Sequence, residues 1–103
     1  MDDEYTNQRT EFLISEIVRE KVFNKTEEEV PHSVTCVVEQ IKKDKDKLIL
    51  NVAIIVDRDS LKKIIIGKQG EMIKRIGIEA RRDLEVLLNK TVYLELFVKT
   101  VKK

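Results

Sequence analysis

Little in this sequence can cross-link it, bind a soft metal or hold it in a membrane. It has one cysteine, Cys36, and one histidine, His32, in 103 residues. A lone cysteine cannot form an internal disulfide, which points to a reducing compartment. With a lone histidine beside it, the ligand set of a structural zinc site is also missing. Proline occurs once and glycine three times, so the chain is neither collagen-like nor a low-complexity linker. No stretch approaches the roughly 18 apolar residues of a transmembrane helix. The acidic opening Met1-Asp2-Asp3-Glu4 is not that of a secretory signal. Secreted disulfide scaffolds, zinc fingers and membrane-spanning proteins are thereby excluded. What is present is 42% hydrophobic and 38% charged residues, the balance of one well-patterned domain that can fold on its own core.

The net charge of +1 hides a split. Residues 1–32 carry nine acidic and four basic side chains, and residues 33–103 carry ten acidic and sixteen basic. Within 58–82 there are eight cations, Arg58, Lys62, Lys63, Lys68, Lys74, Arg75, Arg81 and Arg82, against three carboxylates. Such a concentration suits an anionic partner, although a solvated helical face has the same composition.

The apolar pattern changes period along the chain. Leu13–Ile17 and Ile14–Val18–Val22 keep the i, i+4 spacing of one helical stripe, with Thr6 or Asn7 as cap. Thr26-Glu27-Glu28-Glu29 reads as a short capped turn, which Pro31 ends by disfavouring helical geometry at Val30. From Ser33 the period becomes two: Val34, Cys36 and Val38 alternate with Thr35, Val37 and Glu39. A charged run, Lys42-Lys43-Asp44-Lys45-Asp46-Lys47, reads as a solvated loop before the nearly continuous apolar segment Leu48 to Val56, a covered or central strand. Asp57, Asp59 and Ser60 offer caps for a short helix over 61–66. A longer helix follows over 71–88, with Ile73, Ile76, Ala80, Leu84, Leu87 and Leu88 at spacings of three and four. Gly77 inside it suggests close approach of another backbone. Val92, Leu94, Leu96 and Val98 alternate as a last strand, which completes the order αββααβ.

Between the two later helices lies Gly67-Lys68-Gln69-Gly70. The N-terminus of the second helix offers unpaired N–H groups and the positive end of a dipole, both suited to phosphate. Glycines at each end of the turn let a sugar–phosphate backbone come close. Lys68 adds a cation, and Ile64, Ile65, Ile66, Met72 and Ile73 could floor a cleft for unstacked bases. A lone G-x-x-G is a weak signal. In this helical context and element order it is a strong one.

These blocks resemble a known family. Val30-Pro31-His32-Ser33-Val34, Lys63 through Lys74, Ile76 through Asp83, Tyr93 through Lys99, and Ser15 through Lys21 are similar to the C-terminal type II KH domain of Era-type bacterial GTPases, over essentially the whole chain. The resemblance implies an α+β fold with a three-stranded mixed sheet and three helices on one face. It implies one domain over 1–103: residual linker 1–6, first helix 7–25, hairpin 33–56, helix–GxxG–helix 60–89 and last strand 91–101. It also implies single-stranded RNA as partner, at the 3′ end of small-subunit ribosomal RNA during assembly of the small ribosomal subunit. A GTPase domain would be the partner in cis and would hold the GTP and magnesium. The sequence has no G-x-x-x-x-G-K-[ST] phosphate loop and no room for a GTPase domain. It is therefore expected to be an isolated KH domain with no catalytic residues and no cofactor of its own. Phe97 stands where the family often has Trp. The expected location is cytoplasmic, with peripheral attachment at the inner membrane face as a second site and no stable insertion.

Carried over position by position, the resemblance assigns Gly67, Lys68, Gln69 and Gly70 to RNA through the backbone. Apolar contacts fall to Ile64, Ile66, Met72 and Ile73, joined by Val56, Asp57 and Arg58 at the end of the second strand, with Lys62, Lys63, Lys74 and Arg75 as a phosphate-binding rim. Ile66 and Ile73 also read as core, and Lys74 and Arg75 as plain surface. A competing function is a protein-docking module of KH-like fold, with the acidic first helix facing the partner. A His32–Cys36 nucleophile pair lacks an orienting group. Tyr93 and Phe97 share a strand face and are expected to pack on the first helix. Glu79 and Asp83 read as surface pairs with neighbouring arginines. Leu13, Ile17, Val38, Leu50, Val52, Ile76, Ala80, Leu84 and Leu94 are the expected core.

Overall fold

A computed structural model describes residues 8–26 and 34–102. Its elements are α1 (Gln8–Thr26), β1 (Thr35–Asp44), β2 (Lys47–Val56), α2 (Asp59–Ile66), α3 (Glu71–Leu88) and β3 (Thr91–Thr100), with a single 3-10 turn, Lys68–Gly70, between α2 and α3. The suggested cap at Thr6 or Asn7, the turn over Glu27–Glu29 and His32 lie outside the described residues. Thr26 closes α1: its buried hydroxyl donates to the Val22 carbonyl at 2.7 Å.

The sheet order is β1-β2-β3, with β2 in the centre. β1 runs antiparallel to β2, and β3 runs parallel to it, so α2 and α3 form the crossover that a parallel pair requires. The charged run after Ile41 is strand rather than loop. Asp44 pairs with Lys47, and the hairpin closes over Lys45 and Asp46 alone, with Lys45 at φ 57°. A bulge at Glu39 shifts the β1 register between Val38 and Gln40, so that Ile41 takes over the inward phase that Cys36 and Val38 had kept.

Alternation along β2 divides its two faces. Leu48, Leu50, Val52, Ile54 and Val56 point into the helical layer and are buried, joined there by Ile14, Val18 and Val22 of α1 and Ile76, Ala80 and Leu84 of α3. Of the expected core, Leu13, Ile17, Val38 and Leu94 are only half-buried. On α1 the fully covered stripe is the single row Ile14–Val18–Val22, and Leu13 and Ile17 flank it. Tyr93 and Phe97 stand opposite Ile49 and Ala53, on the face that carries no helix among the described residues, so they do not pack on α1. Tyr93 is 56% exposed.

Glu79 and Asp83 also depart from expectation. Their partners lie on α1: Lys25 pairs with Glu79, and Lys21 with Asp83 at 2.5 Å. The Lys21 side chain is largely covered, and the hydrogen bond to Asp83 raises its pKa above the ordinary value. Burial pushes the Cys36 thiol up to about 12, which makes it a small apolar side chain rather than a nucleophile.

Both of these groups are held in their protonated forms by the fold. The contribution of Cys36 is intact below its ordinary value of 9.0 and is lost as pH rises toward about 12, and Lys21 adds a loss of the same sign. Chemical unfolding measured from neutral pH upward should show stability falling above about pH 9, and Cys36→Val should remove much of that fall. At mildly alkaline pH the folded thiol should react far more slowly than in denaturant.

Candidate nucleic-acid interface

The site is made by how α2 ends and α3 begins. Leu61 and Ile65 bury one face of α2, and Ile64 and Ile66 are half-buried against the same core. None of the suggested caps operates at its start: the N-cap is Arg58 in extended conformation, with no side-chain hydrogen bond to the helix. Arg58 instead pairs with Asp57 at 3.0 and 3.4 Å. The Asp59 carboxyl is held below its ordinary range, first by the Thr100 hydroxyl and then by Lys102. The Lys102 ammonium lies 4.0 Å away, and the Thr100 hydroxyl faces Asp59 without full hydrogen-bond geometry.

At Gly67 the chain turns sharply, with φ 77° and ψ 176°, and its N–H closes α2 on the Lys63 carbonyl at 2.9 Å. A Cβ at this position would sit 2.6 Å from Met72 Cβ and 2.9 Å from the Met72 backbone nitrogen. Lys68 and Gln69 form the exposed tip. Gln69 (φ 56°, ψ 25°) and Gly70 (φ 77°, ψ 13°) are successive left-handed residues. Space around Gly70 is open, so glycine is needed there for its dihedral angle alone. No side chain caps the first turn of α3, which leaves its dipole end facing outward beside Lys68.

Two hollows flank this loop. The larger is a groove of about 360 Å³ between α3 and β3, lined by Ile73, Lys74, Gly77, Ile78 and Arg81 from the helix and Leu94 and Leu96 from the strand. The smaller, of about 210 Å³, lies under the loop and is lined by Gly67, Lys68, Glu71, Met72 and Arg75. Among the described residues, no carboxylate lies within ion-pair distance of Lys68, Lys74, Arg75 or Arg81. The groove is thus an apolar floor with unpaired cations on its rim.

The structure gathers Gly67, Lys68, Gln69, Gly70, Met72, Ile73, Lys74 and Arg75 around the loop and its two hollows. It does not bring Val56, Asp57 or Arg58 there. Val56 is buried, and Asp57 and Arg58 precede the opposite end of α2, about 12 Å from the loop at 1.5 Å per helical residue. Lys62 and Lys63 line neither hollow. Sequence reasoning missed Gly77, Ile78, Arg81, Leu94 and Leu96. The helical part of that set was available, since residues 77, 78 and 81 follow Ile73 and Lys74 at spacings of three, four and seven. Gly77 meets no neighbouring backbone; the nearest atom to a Cβ there is Leu96 Cδ1 at 3.7 Å. Without a side chain at 77 the strand residues Leu94 and Leu96 stay partly uncovered, which is why Leu94 is not core.

A family model described as KH domain matches residues 29–103, which take in the whole sheet, α2, the loop and α3. The chain belongs to the KH domain family. The order αββααβ with a mixed sheet is that of a type II KH domain, and the matched family is an RNA-binding module rather than a catalytic one. Two crystal structures of Era are close in fold. One, of an Aquifex aeolicus Era variant bound to GDP·AlF4⁻, is 47% identical over 90% of this chain and 32% of that one, with a TM-score of 0.85. The other, of Era in complex with MgGDPNP and nucleotides 1506–1542 of 16S ribosomal RNA, gives the same identity, coverage and TM-score. The KH domain spans about a third of the length of those proteins.

The two loop glycines should differ when replaced. Gly70→Ala meets only an unfavourable dihedral angle and should cost about 1–2 kcal/mol. Gly67→Ala adds the overlap with Met72 and should cost about 3 kcal/mol or more. Denaturant titration of both variants against the parent measures the difference.

Proposed function

We propose that this KH domain binds single-stranded RNA along the α3–β3 groove, with the sugar–phosphate backbone passing over the Gly67–Gly70 loop. The observation that carries the reading is the pairing of an apolar floor with a rim of cations that have no ion pair among the described residues, beside a loop whose two ends, Gly67 and Gly70, lack a Cβ. Apolar side chains such as Ile73, Ile78, Leu94 and Leu96 offer flat contact to the faces of unstacked bases. A duplex keeps those faces stacked, so the groove favours a single strand. Lys68, Lys74, Arg75 and Arg81 would neutralise the phosphates alongside. The resemblance to Era, one of whose structures holds 16S ribosomal RNA, supports the 3′ end of small-subunit ribosomal RNA as target. In this reading the domain acts in the cytoplasm during small-subunit assembly. It serves as the RNA-reading part of an Era-like GTPase whose other domain would hold GTP and magnesium, and binds no cofactor itself.

The test is a titration with a single-stranded RNA taken from within nucleotides 1506–1542 of 16S ribosomal RNA, beside its duplex and across salt concentrations. Binding should favour the single strand and weaken steeply with salt. Equal binding of the duplex refutes the groove, and a salt-insensitive interaction with a protein favours the docking alternative. Lys68→Asp with Gln69→Asp should leave stability within about 0.5 kcal/mol, because both side chains are exposed. Two carboxylates at the positive end of α3 should nevertheless cost about ten-fold or more in RNA affinity. Gly77→Leu should fill the groove without unfolding the helix, where leucine is favoured over glycine by nearly 1 kcal/mol, and should also weaken RNA binding. Wild-type affinity in both folded variants would move the site elsewhere.

A further inference from the structure

Helix α3 carries four cations, Lys74, Arg75, Arg81 and Arg82, and four carboxylates, Glu71, Glu79, Asp83 and Glu85, so its side chains sum to zero charge. On an isolated helix these would pair among themselves. Arg75 and Glu79, and Arg81 and Glu85, are each four residues apart, and Glu79 and Arg82 are three apart. None of these pairs forms. Glu79 is taken by Lys25 and Asp83 by Lys21, both from α1, and Glu85 accepts the Val92 backbone N–H at 2.9 Å. The four cations have no ion pair among the described residues. Lys74 and Arg81 therefore stand on the groove without an acidic partner, while at the loop hollow Lys68 and Arg75 face the exposed carboxylate of Glu71 alone.

We infer that Lys25 of α1 is a positioning residue for RNA: it engages the Glu79 carboxylate and so leaves Arg75, which lines the hollow under the loop, free for phosphate. It touches no nucleotide itself. Loss of Lys25 would release Glu79 onto Arg75 or Arg82, where it would compete with phosphate.

The inference rests on the groove reading, and the test separates the two. Lys25→Met is compared with Lys99→Met, which removes the same charge from a lysine paired with Glu39 on the helix-free face of the sheet. Both are titrated with the 16S-derived single strand over a range of salt. Lys25→Met should bind about two- to five-fold more weakly than Lys99→Met, the scale of one surface ion pair. Its log K against log salt should flatten by up to about 0.7, one phosphate contact on a single strand. Adding Glu79→Gln to Lys25→Met should restore both. Lys25→Arg, which keeps the pairing with Glu79 and should bind as the parent does, provides a second variant should Lys25→Met melt early. Equal effects of Lys25→Met and Lys99→Met, or a loss that Glu79→Gln does not repair, overturn the inference and leave the groove standing. A parent domain that binds no RNA overturns both.

Discussion

Everything on the binding side of this domain depends on how little room there is at Gly67. The chain must leave α2 and begin α3 within four residues, and it does so by bringing residue 67 against the backbone and Cβ of Met72. That approach seats the first turn of α3 beside the last turn of α2 and sends the helix back across the sheet next to β3. The groove, its rim and the outward dipole all take their places from this one contact. The pattern of apolar residues around it serves the same end, because Ile65 and Ile76 lock the two helices to the core from either side of the turn.

The layer beneath has a different logic. β2 is buried along its inward row and shielded by strands on both edges, so it tolerates only apolar residues there. The remaining face of the sheet carries no helix among the described residues, and its side chains are mixed: Tyr93 and Val37 exposed, Ala53 buried, and Lys99 reaching Glu39 while its ammonium lies 5.6 Å from the centre of the Phe97 ring. The two faces thus divide the work, one holding the core and the groove and the other left to solvent-tolerant contacts.

Element order and the loop were legible in the sequence because both are written locally. Period 3.6 and period 2 need only a window of a dozen residues, and the long helix over 71–88 shows its stripe directly. What stayed hidden depends on contacts between distant segments. A two-residue period says that Tyr93 and Phe97 share a face but not which face the helices cover. Gly77 could be read as a tight approach, but only the strand opposite shows that its missing side chain leaves Leu94 and Leu96 open. Partner choice for Glu79 and Asp83 was decided by α1, more than fifty residues earlier in the chain. The bulge at Glu39 has no signature of its own in an otherwise alternating run. For the same reason the sequence groups the residues nearest the loop and does not bring in those on β3 that line the groove.

The parallel pairing of β2 with β3 also divides the sheet into a local half and a long-range half. The β1–β2 hairpin closes over two residues and can form by itself on the microsecond scale. β3 reaches β2 across α2 and α3, a longer loop closure and a slower one. One wall of the groove is that long-range strand. With β3 detached, the glycine loop and the cations would remain, but the Leu94 and Leu96 side of the groove would be missing. On the proposed reading, recognition would belong to the docked sheet, and a chain without it would keep only the charge.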